Sequence, residues 1–292
     1  MNACGVLPVE QPWVMILSSE TNKVFFSAHL KADYPIFFKR IKDTLEQYSI
    51  TVELLQDTED YWCRDYMPIQ VGEHRFVKYN YCPDYLNKQS KRRYITKVEH
   101  PLSHLEMDRE TLVDMSDIIV DGGNVVKTPY HIIMTEKVFI ENSHFNHLTL
   151  TSRLEDTFQS EAIIIPWGYR RKDPCGHTDG MVRYIKDKEL LMDNYEHFSP
   201  RIGKRIHEIL KEKGYTVHEL NLPYGYNESW AYINFLQTAS VIIIPKFGLI
   251  ADKYAYQHLC SIFDVPIVQI PAPNIIKKYG GAFNCMSWNI KV

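Results

Sequence analysis

Five side chains able to do chemistry follow short apolar stretches of this 292-residue chain. They are Asp65 in WCRD (62–65), Asp121 in DGGN (121–124), His177 and Asp179 in GHTDG (176–180), and Cys285 in GGAFNC (280–285). Several carboxylates, a histidine and a cysteine at the ends of successive strands fit one kind of chemistry. That chemistry is the attack of a thiolate on a cationic carbon.

Cys285 and His177 are the predicted nucleophile and its acid–base partner. A cysteine is often only a small buried hydrophobe, but Cys285 lies in a loop after two glycines, which permit close backbone approach. A thiolate needs a nearby acid–base partner, and His177 lies in a glycine-flanked loop between strands. A metal site of Cys175, His177 and Asp179 is an alternative, although zinc sites normally draw on a recognisable second ligand pair.

The three aspartates suggest which substrate the site would hold. Each one alone reads as a turn or cap residue. Together, Asp65, Asp121 and Asp179 would favour a planar cation, and a guanidinium offers donors along its edges in a fixed fork. Carboxylates on opposite edges would clamp it by bidentate hydrogen bonds and leave its central carbon open to a thiolate.

The composition sets broad limits on function. Hydrophobic residues make up 45% and charged residues 24%, as in ordinary globular proteins. The net charge of −3 gives no electrostatic reason to expect a nucleic acid or membrane partner. The six cysteines form no Cys-x-x-Cys pair, and no secretory signal or bilayer-length apolar run is evident, so we expect a reduced, cytoplasmic protein. The basic stretch 88–93 is interpreted as a solvated loop.

Periodicity predicts helices and strands in alternation. One helix begins at Pro200 after Ser199 and ends at Gly214, and another carries its apolar face through Ala255 and Leu259. Weaker helical patterns cover 35–48 and 144–159. Strands are predicted over 14–17, 24–28, 50–55, 69–71, 76–79, 118–120, 132–135, 162–166, 181–185, 190–194, 217–220, 231–236, 241–245, 266–270 and 286–290.

The order of these elements repeats. Residues 181–220 and 231–270 each run hairpin, helix, strand, and 124–166 and 69–120 fit the same pattern. A fifth unit needs both ends of the chain, 286–290 joining 14–55. We therefore predict one α/β domain over 1–292, a five-unit pseudo-symmetric propeller closed by pairing of its terminal segments. An open three-layer α/β domain is the alternative. In the closed form, equivalent loops would converge on one face.

The motifs resemble the agmatine deiminase and bacterial peptidylarginine deiminase family of the guanidine-modifying (pentein) superfamily. The resemblance runs in order from about Asp57 to the C-terminus. Besides the four motifs above it includes AYINF (231–235), IPKFG (244–248) and CMS (285–287). It implies a five-unit α/β propeller, which agrees with the repeat.

The resemblance also implies roles. Cys285 would be the nucleophile and His177 the general acid and base. Asp65 and Asp179 would hold the guanidinium, and Asp121 would orient the histidine. The implied reaction is hydrolysis to a ureido product and ammonia through a covalent amidino intermediate, without metal or organic cofactor. Further candidate substrate contacts are Trp62, Asn124 and Asn227, with Glu228 and the stretch 88–93 as candidates for its far end.

The chain departs from the family pattern at two site positions. Asn284 stands where agmatine deiminases often have histidine, and Asp121 is one methylene shorter than the usual glutamate; the N-terminal part is also shorter than in typical agmatine deiminases. The substrate, agmatine, arginine or an arginine-containing peptide, therefore stays open. So do two other functions: an amidinotransferase using the same residues, and a catalytically silent guanidine-binding module.

Overall fold

The computed structural model describes residues 14–167, 173–197, 199–223, 229–272 and 274–292. Its strands are β1 (Lys23–Ser27), β2 (Thr51–Leu55), β3 (Ile69–Gly72), β4 (Arg75–Asn80), β5 (Leu112–Ile119), β6 (Val126–Lys127), β7 (His131–Thr135), β8 (Glu161–Ile165), β9 (Val182–Lys186), β10 (Glu189–Met192), β11 (Thr216–Glu219), β12 (Leu236–Gln237), β13 (Ile242–Lys246), β14 (Ile267–Pro271) and β15 (Ser287–Ile290).

Ten α-helices lie between these strands in the described part of the chain. They are α1 (Ala28–Asp33), α2 (Pro35–Gln47), α3 (Cys63–Tyr66), α4 (Glu99–Leu102), α5 (Lys137–Glu141), α6 (His147–Phe158), α7 (Pro200–Glu212), α8 (Ser229–Ile233), α9 (Ile250–Ile262) and α10 (Ile275–Tyr279). The helices predicted over 35–48 and 144–159, and those beginning near Pro200 and passing through Ala255, are confirmed.

The described strands form five separate three-stranded sheets with one repeated pattern. Their orders are β15-β1-β2, β3-β4-β5, β6-β7-β8, β9-β10-β11 and β12-β13-β14. In each sheet the central strand pairs antiparallel with the first strand and parallel with the third. The chain is therefore a mixed α/β protein built of small sheets, and the strands of the described ranges do not form one open sheet.

The first sheet joins the two ends of the chain. β15 supplies the strand that a local hairpin supplies elsewhere, pairing antiparallel with β1 so that Phe25 lies opposite Trp288. The predicted pairing of the terminal segments is confirmed by this ladder. The strand predicted over 14–17 is wrong: β2 and β15 already occupy both edges of β1, and this segment joins no sheet.

A second prediction fails at residues 231–236. We expected a strand there, but the chain forms α8 and then the two-residue strand β12. Residues 231–236 are all buried, so the run shows neither a helical nor a strand period. A short apolar run of this kind does not distinguish a buried helix from a strand.

Amphipathic helices cover the sheets. Helix α7 buries Ile206 and Leu210 on one side, and Gly214, with φ +83°, ends the run in the left-handed region that glycine favours. Helix α2 buries Phe38, Ile41 and Leu45 in the same way. No helix in the described ranges has both the length and the apolar character needed to cross a bilayer.

Trp288 on β15 connects the first sheet to the second. Its ring lies 4.9 Å from that of Phe25 on β1 and 6.1 Å from that of Phe76 on β4, measured between ring centroids. Its indole N–H donates to the carbonyl of Pro68 at 2.7 Å. A large, almost fully buried side chain with these contacts is a major part of the core.

Replacing Trp288 by Ala should therefore destabilise the fold. We expect the free energy of unfolding to fall by about 3–5 kcal/mol, because a large cavity is created and a buried carbonyl loses its donor. Urea unfolding followed by far-UV circular dichroism measures the change. Val292→Ala, at an exposed position nearby on the same segment, should stay within about 0.5 kcal/mol of wild type. A loss below about 1 kcal/mol for Trp288→Ala would contradict this account.

Candidate active site

The predicted chemical residues all follow the third strand of a sheet. Asp65 follows β2, Asp121 follows β5, His177 and Asp179 follow β8, and Cys285 follows β14. Each of these strands runs parallel to the central strand of its sheet. The loops that carry the chemical residues therefore begin at equivalent positions in four of the sheets.

A cleft of about 1010 Å³ brings four of the five together. Asp65, His177, Asp179 and Cys285 line it. Asp121 lies behind His177, fully buried and bonded to its ring. Residues more than 200 positions apart in the chain thus share one wall.

His177 is held between two carboxylates. Its Nε2 lies 2.8 Å from Oδ2 of Asp121, and its Nδ1 lies 3.5 Å from Oδ1 of Asp65. Asp121 is in turn bonded at 2.7 Å by Nζ of Lys137, which is buried and lies 4.5 Å from the ring centroid of Tyr85. A lysine, an aspartate and the imidazole therefore form a continuous buried chain of charge.

Gly123 allows Asp65 and His177 to approach. Its N–H donates to Oδ1 of Asp65 at 3.2 Å. A Cβ at this position would lie 2.7 Å from both Asp65 Oδ1 and His177 Nδ1, which is too close. The second glycine of the DGGN motif is therefore required by the packing of the site residues themselves.

Burial and neighbouring charges shift the pKa values of this group. Burial, with the charges of Asp121 and Asp179, raises the pKa of Asp65 to about 7 although His177 opposes the shift. Burial would lower the pKa of His177, but the carboxylates of Asp65 and Asp121 outweigh it and raise that pKa to about 9. Burial also opposes ionisation of Asp121, yet the charge of Lys137 and the contact with His177 lower its pKa.

Cys285 is buried in a turn fixed by its neighbours. Oδ1 of Asn234 accepts from the backbone N–H groups of Cys285 and Ala282, both at 3.2 Å. The thiol lies 3.6 Å from Oδ2 of Asp179, which also accepts from Nδ2 of Asn284 at 2.6 Å. Burial, followed by the charges of Asp179 and Asp65, raises the pKa of the Cys285 thiol well above its usual range.

The rest of the cleft wall is aromatic and acidic. Trp62 packs so closely on Gly281 that a Cβ there would lie 2.2 Å from the indole ring. Burial raises the pKa of Asp60 to about 8 and that of Asp193 to about 7. The aromatic residues of the wall are Tyr61, Trp62, Tyr81, Tyr85, Tyr94, Tyr195, Trp230 and Tyr279.

The remaining residues predicted to contact the substrate do not all lie in the cleft wall. Asn124 lies outside the cleft wall, and its side-chain oxygen is occupied by donors from Thr135 and Thr178, so it supports the His177 loop from behind. Asn227 and Glu228 lie outside the described residues. The stretch 88–93 is exposed, as predicted, and contributes only Lys91 to the cleft wall. The described residues contain no group of three acidic, histidine or cysteine side chains suited to a metal ion.

Three residues of the site were not foreseen from the sequence. Asp193 follows β10 in the structure, but the strand predicted over 190–194 includes it, so reasoning from strand ends did not select it. The supporting role of Asn234 had no signal beyond its place in the AYINF motif. Lys137 lies in an otherwise ordinary helical segment, so nothing in the sequence marks it as a buried partner of Asp121.

The fold, with its repeated small sheets, is similar to that of solved deiminases and of a dimethylarginine dimethylaminohydrolase. Solved structures of similar fold include agmatine deiminase of C. jejuni (19% identity, TM-score 0.73, covering 97% of this chain and 98% of that one). Agmatine deiminase of Enterococcus faecalis gives 15% identity and a TM-score of 0.73, covering 98% of each chain. An adduct of dimethylarginine dimethylaminohydrolase gives 11% identity and a TM-score of 0.60, covering 92% of this chain and 100% of that one. At these identities the likeness is one of fold alone.

The sequence itself settles the family. A profile of the Porphyromonas-type peptidyl-arginine deiminases matches residues 13–290, and the chain belongs to that family, within the pentein superfamily. Among curated proteins, none matches the chain.

The buried contacts of Lys137 with Asp121, and of Asp121 with His177, predict a measurable shift in the titration of the His177 ring. In the wild type, the imidazole of His177 should titrate near pH 9, because two carboxylates stabilise its charged form. Asp121→Asn removes one of them, so the midpoint should move toward the ordinary value of about 6.5. NMR titration of the ring, assigned with His177→Gln, measures it.

The matched control for this titration is Asp57→Asn, which alters the exposed pair of Asp57 with His104 and should leave His177 unchanged. An unaltered His177 midpoint in Asp121→Asn would show that Asp121 does not hold the imidazolium.

Proposed function

We propose that this protein is a guanidine deiminase that hydrolyses an agmatine-like or arginine-like substrate, free or in a peptide, to a ureido product and ammonia. The observation that carries the proposal is the meeting of Cys285, His177, Asp65 and Asp179 on one cleft. Membership of a deiminase family supports the reaction class.

The charge balance of the site favours a cationic substrate. Within the described residues, the carboxylates of Asp65 and Asp121 form ion pairs only with the imidazole of His177 and with Lys137. Asp179 forms no ion pair there and interacts at longer range with Arg64 and Arg183. The raised pKa of Asp65 shows that the protein alone disfavours so much negative charge. A guanidinium bound between Asp65 and Asp179 would supply positive charge on the cleft side and favour the ionised form of Asp65.

The same charge would prepare the nucleophile. The pKa of the Cys285 thiol is raised by burial and by Asp179 and Asp65, so the protein alone holds a neutral thiol. Neutralising both carboxylates with a guanidinium removes that repulsion, and the cation itself stabilises the thiolate. The substrate would therefore take part in forming the group that attacks it.

The reaction then proceeds in two halves. As the substrate binds, the thiol of Cys285 gives its proton to solvent. Sγ then bonds to the guanidinium carbon, and His177 protonates the departing nitrogen as the C–N bond breaks and ammonia leaves. His177 then removes a proton from water, which attacks the amidino carbon. The C–S bond breaks, the thiol is restored and the ureido product leaves. The raised pKa of His177 suits the first step, because the ring is charged at neutral pH and can donate its proton.

We further propose that the five sheets form a closed five-unit propeller. Support comes from contacts that link each sheet to the next and the last to the first. These contacts are Gln70 with Lys291, Lys127 with Gln70, packing of β6 on β9, Arg183 with the carbonyl of Phe235, and Asn289 with the carbonyl of Gln237.

The central experiment assays a panel of guanidines for ammonia and ureido product. Wild type should release both without any amine acceptor, and Cys285→Ala should release neither while still binding the substrate. Cys260→Ala, at an exposed thiol, is the matched control and should keep full activity. Ammonia release by Cys285→Ala, or none by wild type with any guanidine, would overturn the proposal. Product formation only with an added amine would identify an amidinotransferase instead.

Asp65 should make substrate binding dependent on pH. A guanidinium binds the ionised carboxylate, whose pKa is raised to about 7, so KM should fall as the pH rises through about 7. In Asp65→Asn this inflection should disappear. That variant should also lose about 2–5 kcal/mol in kcat/KM, roughly 30- to 5000-fold, because a buried cation is left partly unpaired.

Steady-state kinetics between pH 5.5 and 9, roughly one unit or more either side of the Asp65 midpoint, test both effects. Asp57→Asn, an exposed aspartate, should reproduce the wild-type profile. Persistence of the inflection near pH 7 in Asp65→Asn would assign it to another group.

A further inference from the structure

A second, smaller cavity of about 40 Å³ adjoins the cleft. Asp179 contributes to the walls of both, so the two meet at this residue. The polar part of the wall consists mainly of hydrogen-bond donors. Its charged and amide side chains are Arg64, Lys127, Asp179, Arg183, Gln237 and Asn284.

The three cations of this wall are held by neutral groups. Nζ of Lys127 donates to the carbonyls of Ile16 and Gln70, and Nη1 of Arg183 donates to the carbonyl of Phe235 at 2.9 Å. Nη2 of Arg64 donates to the side chain of Asn289. Within the described ranges, none of the three forms an ion pair with a carboxylate. Carbonyl oxygens solvate a cation but do not cancel its charge.

Some N–H donors of the arginines around the cavity have no acceptor among the described residues. Nε of Arg64 is buried and has no partner in the described part of the chain. Arg183 is 4% exposed, and of its five N–H donors the described residues engage only those on Nη1. A buried donor without an acceptor, such as Nε of Arg64, is costly, which favours a ligand that accepts from it.

Burial lowers the pKa values of all three cations, and the charge of Arg64 lowers those of Lys127 and Arg183 further. Burial, and then the charge of Arg64, lowers the pKa of Lys127 to about 7. Burial and the charge of Arg64 also lower the pKa of Arg183 to about 10, although Asp179 opposes the shift. Burial likewise lowers the pKa of Arg64. Asp179 is the one carboxylate of the described wall, and one of its oxygens already accepts from Asn284.

We propose that this cavity is a binding site for a small inorganic anion of about the size of chloride, held between Arg64, Lys127 and Arg183. Arg64 and Arg183 carry two positive charges at neutral pH, and Lys127 adds a third below about pH 7. Against the one carboxylate of the described wall, these charges leave a net attraction for an anion. A water molecule needs about 10–15 Å³ of such space, so a cavity of about 40 Å³ has room for one monatomic anion of chloride size. The cavity meets the guanidinium cleft at Asp179, but the proposal does not depend on the proposed deiminase activity.

Bromide is the direct probe, because it replaces chloride and scatters anomalously. Crystals of the full-length protein grown without halide and soaked in bromide should show an anomalous peak within reach of Arg64, Lys127 and Arg183. Absence of a peak there in the wild type would overturn the proposal, whatever the behaviour of any variant.

Thermal unfolding tests the same site in solution. At constant ionic strength, replacing gluconate by bromide should raise Tm of the wild type in a saturable way. Lys127→Met and Arg183→Met should weaken the apparent affinity about tenfold or more, as expected when one charged hydrogen-bond partner is lost. Lys186→Met, on the same strand as Arg183 but exposed, is the matched control and should keep the wild-type response.

The comparison among these variants decides the outcome in solution. An equal bromide response in Lys127→Met and Lys186→Met would show that the stabilisation comes from surface ions and would contradict the proposal. If both Met variants fail to fold, Lys127→Arg, which keeps the charge but changes the donor geometry, should bind with altered affinity.

Discussion

The burial of Asp65 and Asp121 on either side of the His177 imidazole is the interaction on which the rest of the site depends. With Asp179 also nearby, charge on all these carboxylates is costly in a buried setting, and the raised pKa of Asp65 is the direct result. Lys137 relieves part of this cost by bonding Asp121, and His177 relieves more by becoming charged. What is left unbalanced faces the cleft, where a cationic ligand would complete the neutralisation.

The scaffold serves this interaction by repeating one topological step. In each sheet the third strand runs parallel to the central one. The chain therefore leaves every sheet in the same direction relative to the central strand. The loops that follow need no common sequence, only a common starting point, and so one loop carries a carboxylate and another a thiol. Gly123 and Gly281 show the precision required, since a single methyl group at either would collide with a site residue.

Support for the site comes from behind as well as from the cleft itself. Asn234 holds the turn of Cys285, Asn124 holds the loop of His177, and Asn284 occupies an oxygen of Asp179. These amides are buried and make hydrogen bonds with good geometry, so they fix the orientation of groups that would otherwise rotate. The asparagine at 284, where related agmatine deiminases often have histidine, thus has a defined structural role in this chain.

The elements of the fold were predictable where a period was present. Helices α2, α6, α7 and α9 bury one face each and were found from that pattern, and most strands were found within two or three residues. The prediction failed over 231–236, where every side chain is buried and no period survives. It also failed over 14–17, because an apolar tetrapeptide becomes a strand only if a sheet edge is free to receive it.

The sequence by itself determined which residue types follow which strands, and hence the reaction class that Cys285, His177 and the aspartates could serve. Only the tertiary structure decided that Lys137 is the partner of Asp121, that Asn124 supports the site from behind, and that Arg64, Lys127 and Arg183 surround a second cavity. The physical reason is the range of the interactions. Strand and helix patterns depend on neighbouring residues. Each of these contacts instead joins elements from different parts of the chain, and the distance between those elements depends on how whole sheets pack.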